Sequence, residues 1–288
     1  MKTLSNGILE IEVSELGAEL QSIYKITSNK EYLWQGDPKI WNKRSPLLFP
    51  IVGNVHNQSI QLNQTVYPIM KHGFATDLVF QSRVEDRLLH LTTTDTQETL
   101  SHYPFHFILE VIYKLSRNTL TITYRVTNKD EKIMPFQIGG HPGFILPHYD
   151  AKDKIHGYLS FNVDNELVSD IIEGSFRSNE KKKYPFENGL LPITNDLFEY
   201  DTIVESRGCV ERTTLYDKYK NPLLTVKAKA PVTAYWSPVE KDAPFICIEP
   251  WQGCCEDVDF SGEMYDRKFM NILQPGETFE STIQIIIE

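Results

Sequence analysis

The segment Leu120-Thr121-Ile122-Thr123-Tyr124-Arg125-Val126 decides the fold class of this chain. Its apolar residues occupy every second position, so they share one face of an extended strand while the polar residues take the other face. The same alternation recurs elsewhere, at Leu9, Ile11 and Val13, at Leu224, Val226, Ala228 and Ala230, and at Ile283 and Ile285. We therefore predict half-buried β-strands from one end of the chain to the other.

Turn signals separate these strands, and the clearest are Asn6-Gly7, Asn188-Gly189 and Pro275-Gly276. The 3.6-residue apolar period of a long helix is absent, and only Thr96 to His102 suggests one or two helical turns. Many strands joined by turns predict an all-β fold, a large sandwich or barrel of antiparallel sheets. No linker divides the sequence, so we predict a single domain over residues 1–288.

The most polar and irregular stretch runs from Asp150 to Asp201. It contains many charges, Pro185 and a turn signal, which suggests long excursions from the sheets rather than a second core. Within it, Lys181-Lys182-Lys183 is interpreted as a solvated loop.

Composition limits the class of protein and of partner. With 41% hydrophobic and 24% charged residues the chain has the composition of a folded, soluble protein. A net charge of −10 argues against nucleic acid as a partner, and no apolar run approaches the ~20 residues that cross a bilayer. No secretion signal is visible, and the four cysteines lack the paired spacing of a zinc ribbon. We expect reduced thiols and a cytoplasmic location.

The stretch Gly139-Gly140-His141-Pro142-Gly143-Phe144 has the character of a site loop. Pro142 biases His141 toward an extended conformation, and the glycines permit turns or a close approach to a ligand. We expect the imidazole of His141 to be accessible, with the glycines leaving room for a bound molecule. An imidazole in that position can exchange a proton near neutral pH.

A second cluster, Phe245-Ile246-Cys247-Ile248-Glu249-Pro250-Trp251, ends an apolar strand with a carboxylate. If the strand is buried, the pKa of Glu249 should rise unless donors or a cation hold the charged form. Trp251 could supply a flat apolar face that suits a sugar ring. Two interpretations stay open: a site carboxylate, or a salt-bridged strand end with Trp251 in the core.

Two further residues stand in suggestive settings. His72, in Lys71-His72-Gly73-Phe74-Ala75, again places a histidine beside glycine and an aromatic residue, although a structural histidine fits the same pattern. Arg44 precedes the apolar run Pro46 to Gly53, and a solvent-exposed charge is the simple alternative.

Four motifs occur in a specific order, and a fifth closes the chain. They are Pro46-x-Leu48-Phe49-Pro50-x-x-Gly53, then Lys71-His72-Gly73-Phe74, then Pro135-Phe136-x-x-Gly139-x-His141-Pro142-Gly143-Phe144, then Glu249-Pro250-Trp251, and finally Leu273-x-Pro275-Gly276-Glu277. In this order the chain resembles the aldose 1-epimerase (galactose mutarotase) superfamily and, more narrowly, its LacX-like branch. The resemblance spans nearly the whole sequence.

The resemblance implies a galactose mutarotase-like twisted β-supersandwich that binds a monosaccharide. It implies His141 as general acid, Glu249 as general base, and polar sugar contacts from Arg44, His72 and Asp201. Neither a metal nor another cofactor is implied. Close relatives commonly carry arginine where this chain has Asn54, which puts the contact at that position in question and could mean a different sugar.

The implied reaction interconverts the α- and β-anomers of a free hexose such as galactose or glucose. Glu249 would take the proton of the C1 hydroxyl and His141 would protonate the ring oxygen, so that the ring opens and can reclose from its other face. The two opposite charges are expected to favour an ionised Glu249 and a protonated His141.

Other hypotheses about the function stay open. The protein could bind a sugar without turnover as a regulatory protein, or act on a hexose 6-phosphate, for which arginine would be expected beside the sugar site. A cupin-like metal site built from His72, His141 and Glu249 is a further alternative, although the closely spaced histidines of such sites are missing. A monomer and a homodimer are equally compatible with the sequence.

Overall fold

The computed structural model describes residues 1–85, 87–238 and 241–288, and these residues form an antiparallel all-β protein. The described strands, in chain order, are β1 (Lys2–Ser5), β2 (Leu9–Val13), β3 (Leu20–Lys25), β4 (Lys30–Glu31), β5 (Leu47–Leu48), β6 (Ser59–Leu62), β7 (Thr65–Pro68), β8 (Gln81–Glu85), β9 (Leu88–Thr94), β10 (Phe107–Ser116), β11 (Thr119–Asn128), β12 (Met134–Phe136), β13 (Ile138–Gly140), β14 (Gly143–Ile145), β15 (Gly157–Phe161), β16 (Glu166–Glu173), β17 (Phe176–Pro185), β18 (Leu191–Ile193), β19 (Ile203–Glu205), β20 (Arg212–Asp217), β21 (Pro222–Ala228), β22 (Val232–Trp236), β23 (Phe245–Gln252), β24 (Asn271–Leu273) and β25 (Thr278–Ile287).

Helical structure is sparse in the described part of the chain. The helix α1 (Gln97–His102) is short, and Thr96 caps it by accepting a hydrogen bond from the Thr99 N–H. The predicted helical turns are therefore confirmed. Short 3₁₀ turns cover Ile26–Ser28, His56–Gln58, Ala75–Asp77 and Met264–Asp266. None of the described helices is long and apolar enough to cross a membrane.

The larger sheet has nine strands in the order β18-β15-β20-β21-β25-β11-β10-β9-β8. Strand β11 lies inside it between β25 and β10, with strictly alternating burial, as its sequence predicts. Its apolar face contributes Leu120, Ile122 and Val126 to the main core.

The second sheet follows the order β17-β16-β19-β22-β23-β13-β5, and β14 also pairs with β23. Ile246 and Ile248 on β23 share the main core with the nine-stranded sheet. Across that core, the hydroxyl groups of Tyr235 and Thr213 lie 2.7 Å apart. Because side chains alternate along a strand, Phe245, Cys247, Glu249 and Trp251 occupy the opposite face of β23. That face holds the candidate site.

Three smaller sheets complete the described fold: a four-stranded sheet β1-β2-β3-β4 and the pairs β12-β24 and β6-β7.

The interpretation of residues 150–201 as excursions from the sheets is wrong. β15 and β18 belong to the nine-stranded sheet, and β16 and β17 belong to the second sheet. The Lys181-Lys182-Lys183 run lies in β17, an edge strand, where Lys183 pairs with Glu166 at 2.8 Å. Charged side chains are common on edge strands because they discourage pairing with other chains. This charge concealed the strand pattern in the sequence.

Candidate active site

Strand register brings His141 to Glu249. β13 and β14 both pair with β23, with Gly139 opposite Trp251 and Gly143 opposite Cys247. The same register continued across residues 141 and 142 places residue 141 opposite residue 249. On its other side this segment is held by the His141 N–H, which donates to the Pro46 carbonyl at 3.1 Å. Two residues far apart in sequence are thus fixed on neighbouring backbones.

The two side chains meet at the floor of a cavity. Nε2 of His141 lies 3.2 Å from Oε2 of Glu249, and their side chains are 11% and 1% exposed. Both Glu249 carboxyl oxygens, Nδ1 of His141 and Nε1 of Trp251 are buried without a hydrogen-bond partner among the described residues. Since buried polar groups are normally paired, this cluster has the composition of a site for a polar ligand.

The glycines around His141 make room for protein side chains, which corrects the expectation that they clear space for a ligand. A Cβ on Gly139 would stand 2.6 Å from Cδ1 of Trp251, and one on Gly143 would stand 3.2 Å from Trp34, Trp41 and Phe245. His141 is likewise mostly buried rather than freely accessible.

Aromatic rings surround the imidazole of His141. Its centroid lies 5.0 Å from that of Trp41, 5.6 Å from that of Trp236 and 5.8 Å from that of His72. The Trp236 indole N–H donates to Oδ1 of Asp201 at 3.1 Å. These rings restrict the orientation of His141 and exclude water from one side of it.

Two hydrogen bonds join His72 to Gly53. Its N–H donates to the Gly53 carbonyl at 2.9 Å, and its Nδ1 accepts from the Gly53 N–H at 3.1 Å. The accepting Nδ1 carries no proton, so in the neutral ring the proton resides on Nε2. Burial, reinforced by His141 and Lys71, holds the pKa of His72 well below its usual value. His72 is therefore a neutral donor at the cavity wall, on a backbone with φ of 68°.

Burial dominates the protonation of the central pair. It lowers the pKa of His141 to about 3. It raises the pKa of Glu249 well above the usual value, with Asp201 acting in the same direction and Lys71 and Trp251 opposing. The expected imidazolium–carboxylate pair is thus wrong for this resting arrangement, because desolvation penalises both charges. The expectation that burial raises the pKa of Glu249 is confirmed.

The cavity has a volume of about 550 Å³, within the usual range of small-molecule sites. Of the residues singled out in the sequence, those that line it are Asn54, His72, His141, Asp201, Glu249 and Trp251. Arg44 is not among them. Its Nη1 donates to the Gln21 carbonyl at 2.6 Å and to Oε1 of Gln35 at 2.9 Å, so it packs against β3 instead.

Several lining residues were missed by the sequence reasoning: Trp41, Lys43, Lys71, Trp236, Lys241 and Cys255. Lys71 stands inside the quoted Lys71-His72-Gly73-Phe74 motif, and Lys43 adjoins Arg44. No sequence signal shows which of the neighbours Lys43 and Arg44 faces the cavity. Trp41 and Trp236 carry no motif at all.

One group of side chains could hold a metal ion. His141, Cys247 and Glu249 each place a possible ligand atom within 4.8 Å of the others. Nitrogen, thiolate and carboxylate ligands of this kind suit Zn²⁺. The set differs from the cupin-like alternative because Cys247, two residues before Glu249 on the same face of β23, takes the place of His72.

The fold places the chain among the galactose mutarotase-like proteins. It superposes on a galactose mutarotase-like protein from Lactobacillus casei with a TM-score of 0.93, 30% identity and full coverage of both chains. A galactose mutarotase related enzyme from Lactobacillus acidophilus gives a TM-score of 0.91 at 28% identity, covering 100% of this chain and 97% of the other. The predicted mutarotase-like supersandwich is confirmed.

The chain belongs to the aldose 1-epimerase family, whose model matches residues 1–285. It is also 30% identical to the plasmid-encoded and the chromosomal LacX proteins of Lactococcus lactis subsp. lactis, over 99% of this chain and 98% of each relative. The resemblance to this superfamily and to its LacX-like branch is confirmed.

Proposed function

We propose that this protein is an isomerase that interconverts the α- and β-anomers of a free hexose such as galactose or glucose. The observation that carries the proposal is the 3.2 Å approach of His141 Nε2 to Glu249 Oε2 inside the cavity. The anomeric hydroxyl oxygen and the ring oxygen of a hexose are bonded to the same carbon. An acid and a base that serve these two oxygens must therefore be close neighbours, as this pair is.

In the proposed mechanism Glu249 removes the proton from the anomeric hydroxyl while His141 protonates the ring oxygen. The bond between C1 and the ring oxygen breaks, the aldehyde rotates about C1–C2, and reclosure from the other face inverts the anomer. A raised pKa makes the Glu249 carboxylate a stronger base, and a lowered pKa makes the His141 imidazolium a stronger acid. Because the resting pair is neutral, the proton of Glu249 must first pass to His141 across the 3.2 Å between Oε2 and Nε2, and ring opening then returns the pair to its neutral state.

The remaining lining residues would bind the sugar. His72 would donate from Nε2, Asp201 and Asn54 would contact hydroxyl groups, and Trp251 would offer an apolar face. The proposed site does not include Arg44, which does not line the cavity and whose Nη1 is bonded to Gln21 and Gln35.

One observation favours a second candidate substrate class. Lys43, Lys71 and Lys241 line the same cavity, and the Lys241 ammonium donates to the Ile40 carbonyl at 3.0 Å. Three ammonium groups could neutralise the phosphate of a hexose 6-phosphate, although lysine lacks the bidentate geometry of arginine.

The test is saturation-transfer NMR or polarimetry with galactose, glucose and their 6-phosphates, comparing the wild type with Glu249→Gln. We expect rapid anomer exchange of at least one free hexose in the wild type and a rate near background in the variant. Faster exchange of the phosphates, lost in Lys43→Gln and Lys71→Gln, would favour the second candidate. Sugar binding without any exchange would make this a non-catalytic sugar-binding protein.

We also propose a cytoplasmic location for the protein, acting as a monomer or homodimer with no need of a cofactor. The support for the location is that all four cysteines are free thiols, as is usual in a reducing compartment.

A further inference from the structure

Two adjacent cysteines form a thiol pair in the wall of the cavity. Cys254 and Cys255 follow β23 after Gly253 and are 1% and 8% exposed. Their Sγ atoms lie 3.9 Å apart. Cys255 lines the cavity and Cys254 does not. The proposed mechanism uses neither thiol.

Two buried arginines act on this pair, and each is also paired with a carboxylate. Nη2 of Arg267 donates to the carbonyls of Cys254 at 3.1 Å and of Val52 at 3.3 Å, and its Nε lies 3.5 Å from Oε1 of the buried Glu256. Arg177 pairs with Asp170 at 3.4 Å and with Asp257 at 2.5 Å. The contact from Cys254 lowers the pKa of the Cys255 thiol, burial raises it, and the charges of Arg177, Arg267 and Lys71 lower it. The contact with Cys255 and burial raise the pKa of Cys254. Cys255 thus has the environment of a reactive thiolate, with a protonated partner beside it.

Cys255 packs against Gly53, and Gly53 is hydrogen-bonded to His72, one of the residues proposed to bind the sugar. The Cβ of Cys255 packs so closely on Gly53 that no side chain could be added there. The Gly53 N–H in turn donates to Nδ1 of His72 at 3.1 Å. A shift of Cys255 would therefore move Gly53 and disturb the hydrogen bond that orients the His72 ring.

We propose that Cys254 and Cys255 are a site of reversible oxidation by hydrogen peroxide, and that the resulting disulfide lowers the rate of sugar turnover in the cavity. The Cys255 thiolate attacks one peroxide oxygen, the O–O bond breaks, and a sulfenic acid and hydroxide form. Cys254 then attacks the sulfenic sulfur, giving a disulfide and water. Sulfur loses two electrons and peroxide gains them. A thiolate reached through a cavity and adjacent to a resolving cysteine is the usual arrangement for such chemistry.

The geometry of neighbouring residues makes this disulfide easy to reverse. Adjacent Cα atoms across a trans peptide are about 3.8 Å apart, below the usual disulfide range of about 4.4–6.8 Å. The ring is consequently strained and open to reduction by a dithiol. Closing the sulfurs from 3.9 Å to a bond of about 2.05 Å also requires at least one of the two cysteines to move. The effect on turnover rests on the proposed function, whereas the oxidation itself does not.

The first measurement is peptide mass spectrometry of the full-length protein after brief peroxide treatment and thiol blocking. We expect the peptide that carries Cys254 and Cys255 to lose two hydrogen atoms, and dithiothreitol to restore them. Cys209→Ser should behave as the wild type, and Cys254→Ser should stop at a dimedone-reactive sulfenic acid on Cys255. Absence of the intramolecular disulfide in the wild type, or earlier oxidation of Cys209 or Cys247, overturns the proposal.

The second measurement compares anomer exchange before and after peroxide, each protein against its own reduced form. We expect oxidised wild type to lose about tenfold or more in kcat/KM, to recover with dithiothreitol, and the Cys254→Ser/Cys255→Ser protein to be insensitive. If the disulfide forms and kcat/KM is unchanged, the proposed effect of the disulfide on turnover is refuted. If the untreated protein exchanges no sugar, the proposed function fails while the mass measurement still decides the oxidation.

Discussion

Replacing Gly139 by alanine tests how the site is packed. The added Cβ would lie 2.6 Å from Cδ1 of Trp251, whereas carbon atoms in contact lie about 3.5–4.0 Å apart, so the indole must move by about 1 Å. Trp251 is 5% exposed and packs with Leu48 and Val232, which leaves little space for that movement. Overpacking of this kind destabilises a protein by about 1–3 kcal/mol. For a chain of this size we expect Tm to fall by about 2–12 °C.

The assays are thermal unfolding without sugar and anomer exchange by polarimetry. We expect Gly139→Ala to lower both Tm and kcat/KM, since a misplacement of about 1 Å at a site can reduce the rate by about 100-fold. In a Trp251→Phe background the smaller ring should remove most of the stability loss. If Gly139→Ala instead raises KM while Tm is unchanged, the glycine serves ligand clearance and our packing argument is refuted. An equal Tm loss in the Trp251→Phe background would place the clash elsewhere.

The remaining predictions concern charge. Burial holds the pKa of His141 at about 3 and that of Glu249 well above its usual value, so the pair carries one proton between these two pKa values. The pH profile of kcat/KM should therefore lack an acid limb near 6.5, the ordinary pKa of histidine; such a limb would contradict the desolvation argument. Asp201 raises the pKa of Glu249 and Lys71 lowers it, so Asp201→Asn should move the alkaline limb to lower pH and Lys71→Gln should move it to higher pH; shifts in the same direction would contradict this assignment. Arg44→Met should destabilise the protein by about 1 kcal/mol through its lost hydrogen bonds and leave KM unchanged, as measured by denaturant unfolding and polarimetry; a large rise in KM would return Arg44 to the site.

Alternation along single strands predicted much of the fold. β11 buries alternate residues and β23 is buried on both faces, and both could be read from the sequence as strands, the first from its alternation and the second from its apolar run. The strands β16 and β17 could not, because charges that protect a sheet edge resemble those of a loop.

The candidate site was only partly predictable. Period-2 patterns assign a face but not a partner, so the pairing of Gly139 with Trp251 and of Gly143 with Cys247, which sets His141 beside Glu249, needed the structure. The family resemblance identified His141 and Glu249 but gave no distance between their side chains. Their protonation was predicted wrongly because the attraction between opposite charges was weighed without the burial of both groups. The single domain over residues 1–288 stays a prediction.

Anomer exchange in His141→Asn, Glu249→Gln and the double variant tests the central claim most directly. An acid and a base that act on one bond-breaking event depend on each other, so losses should be far from additive. We predict that each single variant falls close to the uncatalysed rate and that the double variant is hardly slower, with all three retaining the Tm of a folded protein. A single variant that keeps near wild-type kcat/KM would contradict the assignment of His141 and Glu249 as acid and base.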